Sequence, residues 1–324
     1  MNTNTNLSTK NVYQRQLLHA ISTDLKELSR LDWRKGASAI LFDWSIIVLA
    51  ITFSIWMSNP VVYLFTVAII AARQHALLII MHDASHYRLF SNKKVNTTIS
   101  NLFLAYPMLI RTESYRHNHL AHHSHTNSDD DPDWVRKDGD SNWIFPKTRG
   151  ELLFMLLRDL LGGGFWATLK AVYSLGAKKN KNDSKQGKAK FGLLAFWIVA
   201  ATVFTVTGVW IPVLLYWFLP AWTVLPCLLR IRSIAEHFGL ANEHELNASR
   251  NFHCNWLEKT FFAPHNVGYH LDHHLFMSVP FYNLPEFHRR LIRQPVYAAL
   301  SHQSDGIFGK RRTSVEQDVS LLSS

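Results

Sequence analysis

The residues of this chain that can do chemistry are its histidines. There are 18 among 324 residues, and eight of them fall in three tight clusters. The first is His82-Asp83-Ala84-Ser85-His86. The second contains His119, His122 and His123, and the third His270, His273 and His274. Residues three and four apart share a helix face, so the spacing predicts that each cluster presents its imidazoles together, with the His-x-x-His-His triplets each converging on one point. A merely His-rich surface helix does not account for two such copies, because stability gains nothing from imidazoles repeated on one face.

Neutral imidazole binds Fe, Zn, Cu and Ni. Eight histidines are too many for one ion and suit two. The sequence contains no Glu-x-x-His of the soluble di-iron bundles and no His-Glu-x-x-His of zinc proteases. A metal pair held by neutral nitrogen keeps a high positive charge, which suits activation of O2 better than polarisation of a carbonyl. The two cysteines, Cys227 and Cys254, cannot build a disulfide framework or a four-thiolate site.

The elements that position these clusters are apolar. Four stretches, Ala39 to Met57, Val61 to Met81, Phe191 to Thr207 and Ile211 to Leu229, each have roughly 17–21 residues, the length that crosses a bilayer. They come in two pairs with short links, around Ser58-Asn59-Pro60 and around Gly208 to Trp210. Pro60 stands where a helix can begin. Apart from Arg73, every Lys and Arg lies before the first span, between the pairs or after the fourth. The positive-inside rule places both termini and the central region in the cytoplasm. The expected fold is an all-α integral membrane protein, two hairpins inserted from the cytoplasmic side, with residues 1–300 as one domain. Asp43 and Arg73, both within spans, are expected to pair, since a lone intramembrane charge is costly.

Outside the spans, Glu151 to Trp166 reads as a helix lying in the interface. The run Lys178 to Lys190, with six lysines, reads as a solvated or lipid-facing loop, and residues 301–324 as a loosely held polar tail. Met1 to Lys10 are polar, and no n-region, apolar h-region and cleavage site follow, so targeting falls to the first membrane helix. The net charge of +10 and a mean hydropathy near zero suit a basic protein resting on anionic lipid or receiving an acidic partner. The lysines form no nucleic-acid reading motif.

The three clusters resemble the histidine boxes of the membrane fatty acid desaturase and hydroxylase superfamily. Arg230 to His237 is similar to the segment that supplies an extra ligand there, and Asn266 to Pro285 to its C-terminal box and the run after it. The resemblance covers about Trp44 to Leu291. It implies four membrane helices under a helical cytoplasmic cap that holds a di-iron site, with nine ligands: His82, His86, His119, His122, His123, His237, His270, His273 and His274. Position also favours His237. It follows the fourth span by about 12 Å if the helix continues, level with His82 and His86. His117 and His125 are near misses suited to supporting roles, and His265, just before the third box, is open between a role at the site and none. His75 lies inside a span, and the remaining histidines, His19 and His302 among them, read as surface or packing residues. Asp83, Glu236, Asp272 and the run Asp129 to Asp133 are candidates to orient ligand imidazoles. Met277 and Asp272 stand where relatives commonly have Pro and Glu, and Ser233 stands where stearoyl-CoA-type members place Asn.

The resemblance implies O2-dependent removal of two hydrogens from a fatty acyl chain carried on CoA, ACP or a lipid. Such chemistry needs two iron ions and two electrons per turnover. The chain has no haem-binding His-Pro-Gly-Gly and no Gly-x-Gly-x-x-Gly, so the electrons are expected from ferredoxin or a cytochrome b5-type carrier docking on the basic face. The location would be the inner membrane of a bacterium or the endoplasmic reticulum of a eukaryote. A hydroxylase or ketolase would use the same metals. A membrane metal transporter would place its ligands near mid-bilayer on broken helices, whereas these clusters sit at helix ends.

Overall fold

A computed structural model describes residues 12–166, 170, 184–308 and 314–320. Among them the chain is mostly helical, and its β structure is confined to a parallel pairing of Asn251–Phe252 with Gln303–Ser304 and one isolated bridge. Three helices are long and apolar enough to cross a membrane: Trp33–Met57, Pro60–Ser85 and Trp210–His237. The apolar part of a fourth, Phe191–Thr207, is shorter, although its helix begins at Ser184.

The first hairpin turns where the sequence predicts. Ser58 closes one helix in the left-handed region (φ 48°), the Asn59 side chain accepts hydrogen bonds from the Val61 and Val62 amides, and Pro60 fills the first turn. The second helix runs a full turn beyond the expected Met81, which carries His82 on regular backbone and leaves His86 as its cap. From Thr66 onward this helix is buried almost throughout. Ala71, Ala72, Ala76 and Ala84 let its neighbours approach closely, and Trp33–Met57, Thr112–His125 and Val224–His237 all pack on it. The outer faces remain apolar and exposed, with Leu41, Phe42, Leu49, Trp56, Leu64 and Phe65, as expected of a surface that meets another apolar phase.

The last long helix is irregular for an identifiable reason. A π turn at Leu214–Phe218 precedes Pro220 and a distorted Thr223 precedes Pro226, prolines that cannot complete the helical ladder. Beyond Pro226 it continues to His237.

The predicted interface helix runs from Arg149 to Leu160 behind a Thr148/Glu151 capping box and exposes Leu153, Phe154 and Leu157. Asp159 on this helix is fully buried and pairs with Arg230. The expected Lys178 to Lys190 loop is helical from Ser184 on, and 178–183 lies outside the described residues, as does Met1 to Lys10. The tail differs from expectation. Val315 and Val319 enter the core beside Phe238 and Ile234, Gln303–Ser304 pair with Asn251–Phe252, and Asp318 reaches the buried Arg250 at 2.8 Å. Two valines spaced four apart on a five-residue helix, with one acid meeting a buried cation, are enough to dock a mostly polar segment.

Candidate metal centre

All nine histidines come together. His82, His86, His119, His123 and His273 form one group, and His122, His237, His270 and His274 another. Within each, one ring nitrogen per residue lies within 4.8 Å of all the others, so each group could hold a metal ion. The predicted convergence of each triplet on one point is not what the fold does. Each triplet sends its i, i+4 pair to one group and its middle histidine to the other: His119 and His123 against His122, His270 and His274 against His273. Helix geometry gives the reason. At 100° per residue the pair is 40° apart, whereas the middle residue stands 100° from its successor and faces the neighbouring group. The two triplets therefore interlock, and His237 completes the second group. It sits on the expected helix but beside His270 (2.9 Å, Nε2 to Nε2) rather than with His82 and His86.

Both groups are largely buried. Burial first, and then the neighbouring imidazoles, hold His119, His273 and His274 well below the usual histidine pKa, and the same holds for His123 and His270. These five donors thus favour the neutral form, the form that binds a metal. His82 Nε2 and both ring nitrogens of His86 are buried without a hydrogen-bond partner. Leaving buried polar atoms unmatched is costly, and a cation at the centre of the group would take one nitrogen from each ring.

The carboxylates take distinct roles. Asp131 Oδ2 accepts from His122 Nδ1 at 2.8 Å and from the Asn127 amide at 2.9 Å. Glu236 Oε1 lies 3.3 Å from His270 Nδ1 and is gripped by Arg232 at 2.6 Å. Asp83 is 3.9 Å from His82 Nδ1 and caps the Phe281 amide instead. Asp272 touches no clustered histidine. It accepts from Asn251, His288 and Tyr297, and so anchors the short His270–Leu275 helix. His117 is exposed and His265 meets Asp43 at 2.7 Å, so neither joins a group. Ser233 accepts from Lys137 Nζ at 2.7 Å. Sequence reasoning missed Tyr115, stacked on His119, Thr126 Oγ1 at 3.4 Å from His274 Nδ1, and the Asn251–His288–Tyr297 anchor. Tyr115 stands four residues before His119, a spacing that could have found it; the anchor residues carry no local signal.

Of two cavities, the first reaches the second histidine group and the other lies apart from the histidines. One of about 360 Å³ borders His237 and is walled by Trp134, Lys137, Trp143, Phe145 and Phe238. The other, about 300 Å³, lies between the apolar helices, among Trp44, Ile47, Phe196, Trp197, Val213 and Trp217.

The sequence model of the fatty acid desaturase family matches residues 58–305. The dihydrorhizobitoxine desaturase of Bradyrhizobium elkanii is 28% identical, over 91% of this chain and 86% of that protein. The sn-1 oleoyl-lipid 12-desaturase of Anabaena variabilis is 26% identical, over 71% and 67%. The sn-1 acyl-lipid omega-3 desaturase (ferredoxin) of Nostoc sp. is 24% identical, again over 71% and 67%.

Proposed function

We propose, from the premise that this chain belongs to the fatty acid desaturase family, that it introduces a double bond into a fatty acyl chain at two iron ions held by the nine histidines. The observation that carries the reading is the pair of largely buried imidazole groups interlocked through both triplets. When bound, the iron pair supplies O2-dependent oxidation strong enough for an unactivated C–H bond, which no side-chain acid or base can attack.

The chain's own residues do the rest. His82, His86, His119, His123 and His273 hold one ion, and His122, His237, His270 and His274 the other. Asp131 fixes the tautomer of His122, while Asp272 and its partners fix the backbone that carries the third cluster. The aromatic and aliphatic cavity between the helices suits an acyl chain and offers nothing to a polar one.

Residues 1–300 act as one membrane domain. Four spans in two hairpins place both termini and the histidines on the cytoplasmic side, and the exposed leucines of Arg149–Leu160 rest in the interface. The electrons come from a separate carrier, of ferredoxin or cytochrome b5 type, docking on the basic cytoplasmic face. Ferredoxin is favoured by the name of the Nostoc relative.

The test is a total fatty-acid profile of a host with and without the gene. New unsaturated acids that depend on the clustered histidines are expected. Hydroxy or keto acids without any new double bond would assign the chain to the hydroxylases or ketolases instead.

A further inference from the structure

The two histidine groups differ in what stands behind their rings. In the four-histidine group the converging nitrogens are Nε2: His122 Nε2 lies 3.3 Å from His274 Nε2, and His237 Nε2 is 2.9 Å from His270 Nε2. Three of the four outward nitrogens lie near an anionic or polar group, while His237 Nδ1 is buried without a hydrogen-bond partner. His122 Nδ1 donates to Asp131 at 2.8 Å, His270 Nδ1 lies 3.3 Å from Glu236 without forming a hydrogen bond, and His274 Nδ1 lies 3.4 Å from the Thr126 hydroxyl. In the five-histidine group, among the described residues, His123 Nδ1, His273 Nδ1 and both nitrogens of His86 have no hydrogen-bond partner. The nearest carboxylate there is Asp83, 3.9 Å from His82 and already bound to the Phe281 amide.

An imidazole that donates its outer N–H to a carboxylate is a stronger base toward its metal. Asp131 is the stronger of the two backing groups. It is buried, is held by the Asn127 and Asp133 amides, and has no Lys or Arg within ion-pair distance among the described residues. Glu236 shares its charge with Arg232.

We propose that Asp131, acting through its hydrogen bond to His122, with a smaller contribution from the Glu236 charge beside His270, makes the two metal sites electronically unequal. The four-histidine site is the richer in electrons despite having one ligand fewer. An iron held there would be the harder to reduce, and one held by the five-histidine group would be the first to accept an electron from the carrier. Asp131 is in this sense a positioning residue, since it touches a ligand and not the metal. The inference rests on the two-iron reading above.

The experiment uses the protein loaded with ⁵⁷Fe, read by iron analysis, Mössbauer spectroscopy and a stepwise reductive titration. Wild type should carry two irons in distinguishable environments that reduce in two steps. Asp131→Asn should raise the lower-potential step alone, alter one Mössbauer signal alone and weaken iron retention at that site by about 10- to 100-fold. Where Asp131→Asn does not accumulate, Glu236→Gln should produce a smaller change at the same signal. Two equivalent irons reducing together in wild type, or a substitution that moves both signals or the higher-potential one, would overturn the inequality and leave the two-iron reading intact. Wild-type protein that carries no iron pair would overturn both.

Discussion

Asp43 and Arg73 form an ion pair of 3.0 Å between the first two long apolar helices. Asp43 is fully buried, and its second carboxylate oxygen meets His265 Nε2 at 2.7 Å, while Arg73 also donates to the Thr260 carbonyl at 2.6 Å. The pair therefore ties both helices to the loop that precedes the third histidine cluster.

Asp43→Asn should leave the Arg73 guanidinium buried without its counter-charge, at a cost of about 3–5 kcal/mol. The thermal midpoint of purified protein in detergent should drop clearly. Replacing both residues together, as Asp43→Leu with Arg73→Met, should recover much of the loss, because two apolar groups leave no orphaned charge. Equal midpoints for wild type and Asp43→Asn would mean that the pair does not stabilise the fold.

His237→Ala should empty one metal site and spare the other. The five-histidine group does not include His237, and the helix that carries it is held by Arg230 with Asp159 and by Phe238 in the core. The variant should insert and fold, keep iron in one environment and lose turnover. Retention of both irons with near-normal activity would remove His237 from the ligand set.

Acid should destabilise the protein and release its metal together. Burial holds His119, His123, His273 and His274 well below the ordinary histidine pKa of 6.5. The unfolded chain takes up protons on these residues as pH falls through about 6.5, and the folded chain does not. Stability is thus fully present above that pH and lost below it, by up to about 1.4 kcal/mol per pH unit for each such histidine. Protons also compete with metal for the same nitrogens. Midpoint and iron content, followed from pH 8 down to pH 5, should hold steady and then decline together. Full iron retention near pH 4 would mean that the ligands are not mainly histidine.

Removal of residues 303–324 should destabilise the cap rather than trim a free end. Val315 and Val319 are buried, each worth about 1.5–3 kcal/mol, and Arg250 would lose Asp318. Burial already pushes the Arg250 pKa down to about 10, so it stays charged at neutral pH and would be left unpaired. Yield and thermal midpoint of the truncated protein should both fall. Wild-type values would show that the tail is dispensable.

The sequence determined the ligand inventory and the elements that carry it. Repeated imidazole spacing is a local property, so His82, His86 and the two His-x-x-His-His triplets were legible without a fold. Long apolar runs and the Ser58-Asn59-Pro60 turn were legible for the same reason, and His237 needed the family pattern and its place about two turns beyond a span on the same helix. Tertiary structure alone decided how the nine divide. A 100° step per residue lets one helix serve two centres, and which histidine faces which centre depends on the neighbours opposite it. It alone also decided that Asp131 rather than Asp129, Asp130 or Asp133 reaches an imidazole, that Asp272 anchors a helix rather than a ligand, and that the tail packs. Each is a contact across many intervening residues, chosen by burial and hydrogen-bond matching in the folded chain, and no local pattern encodes it.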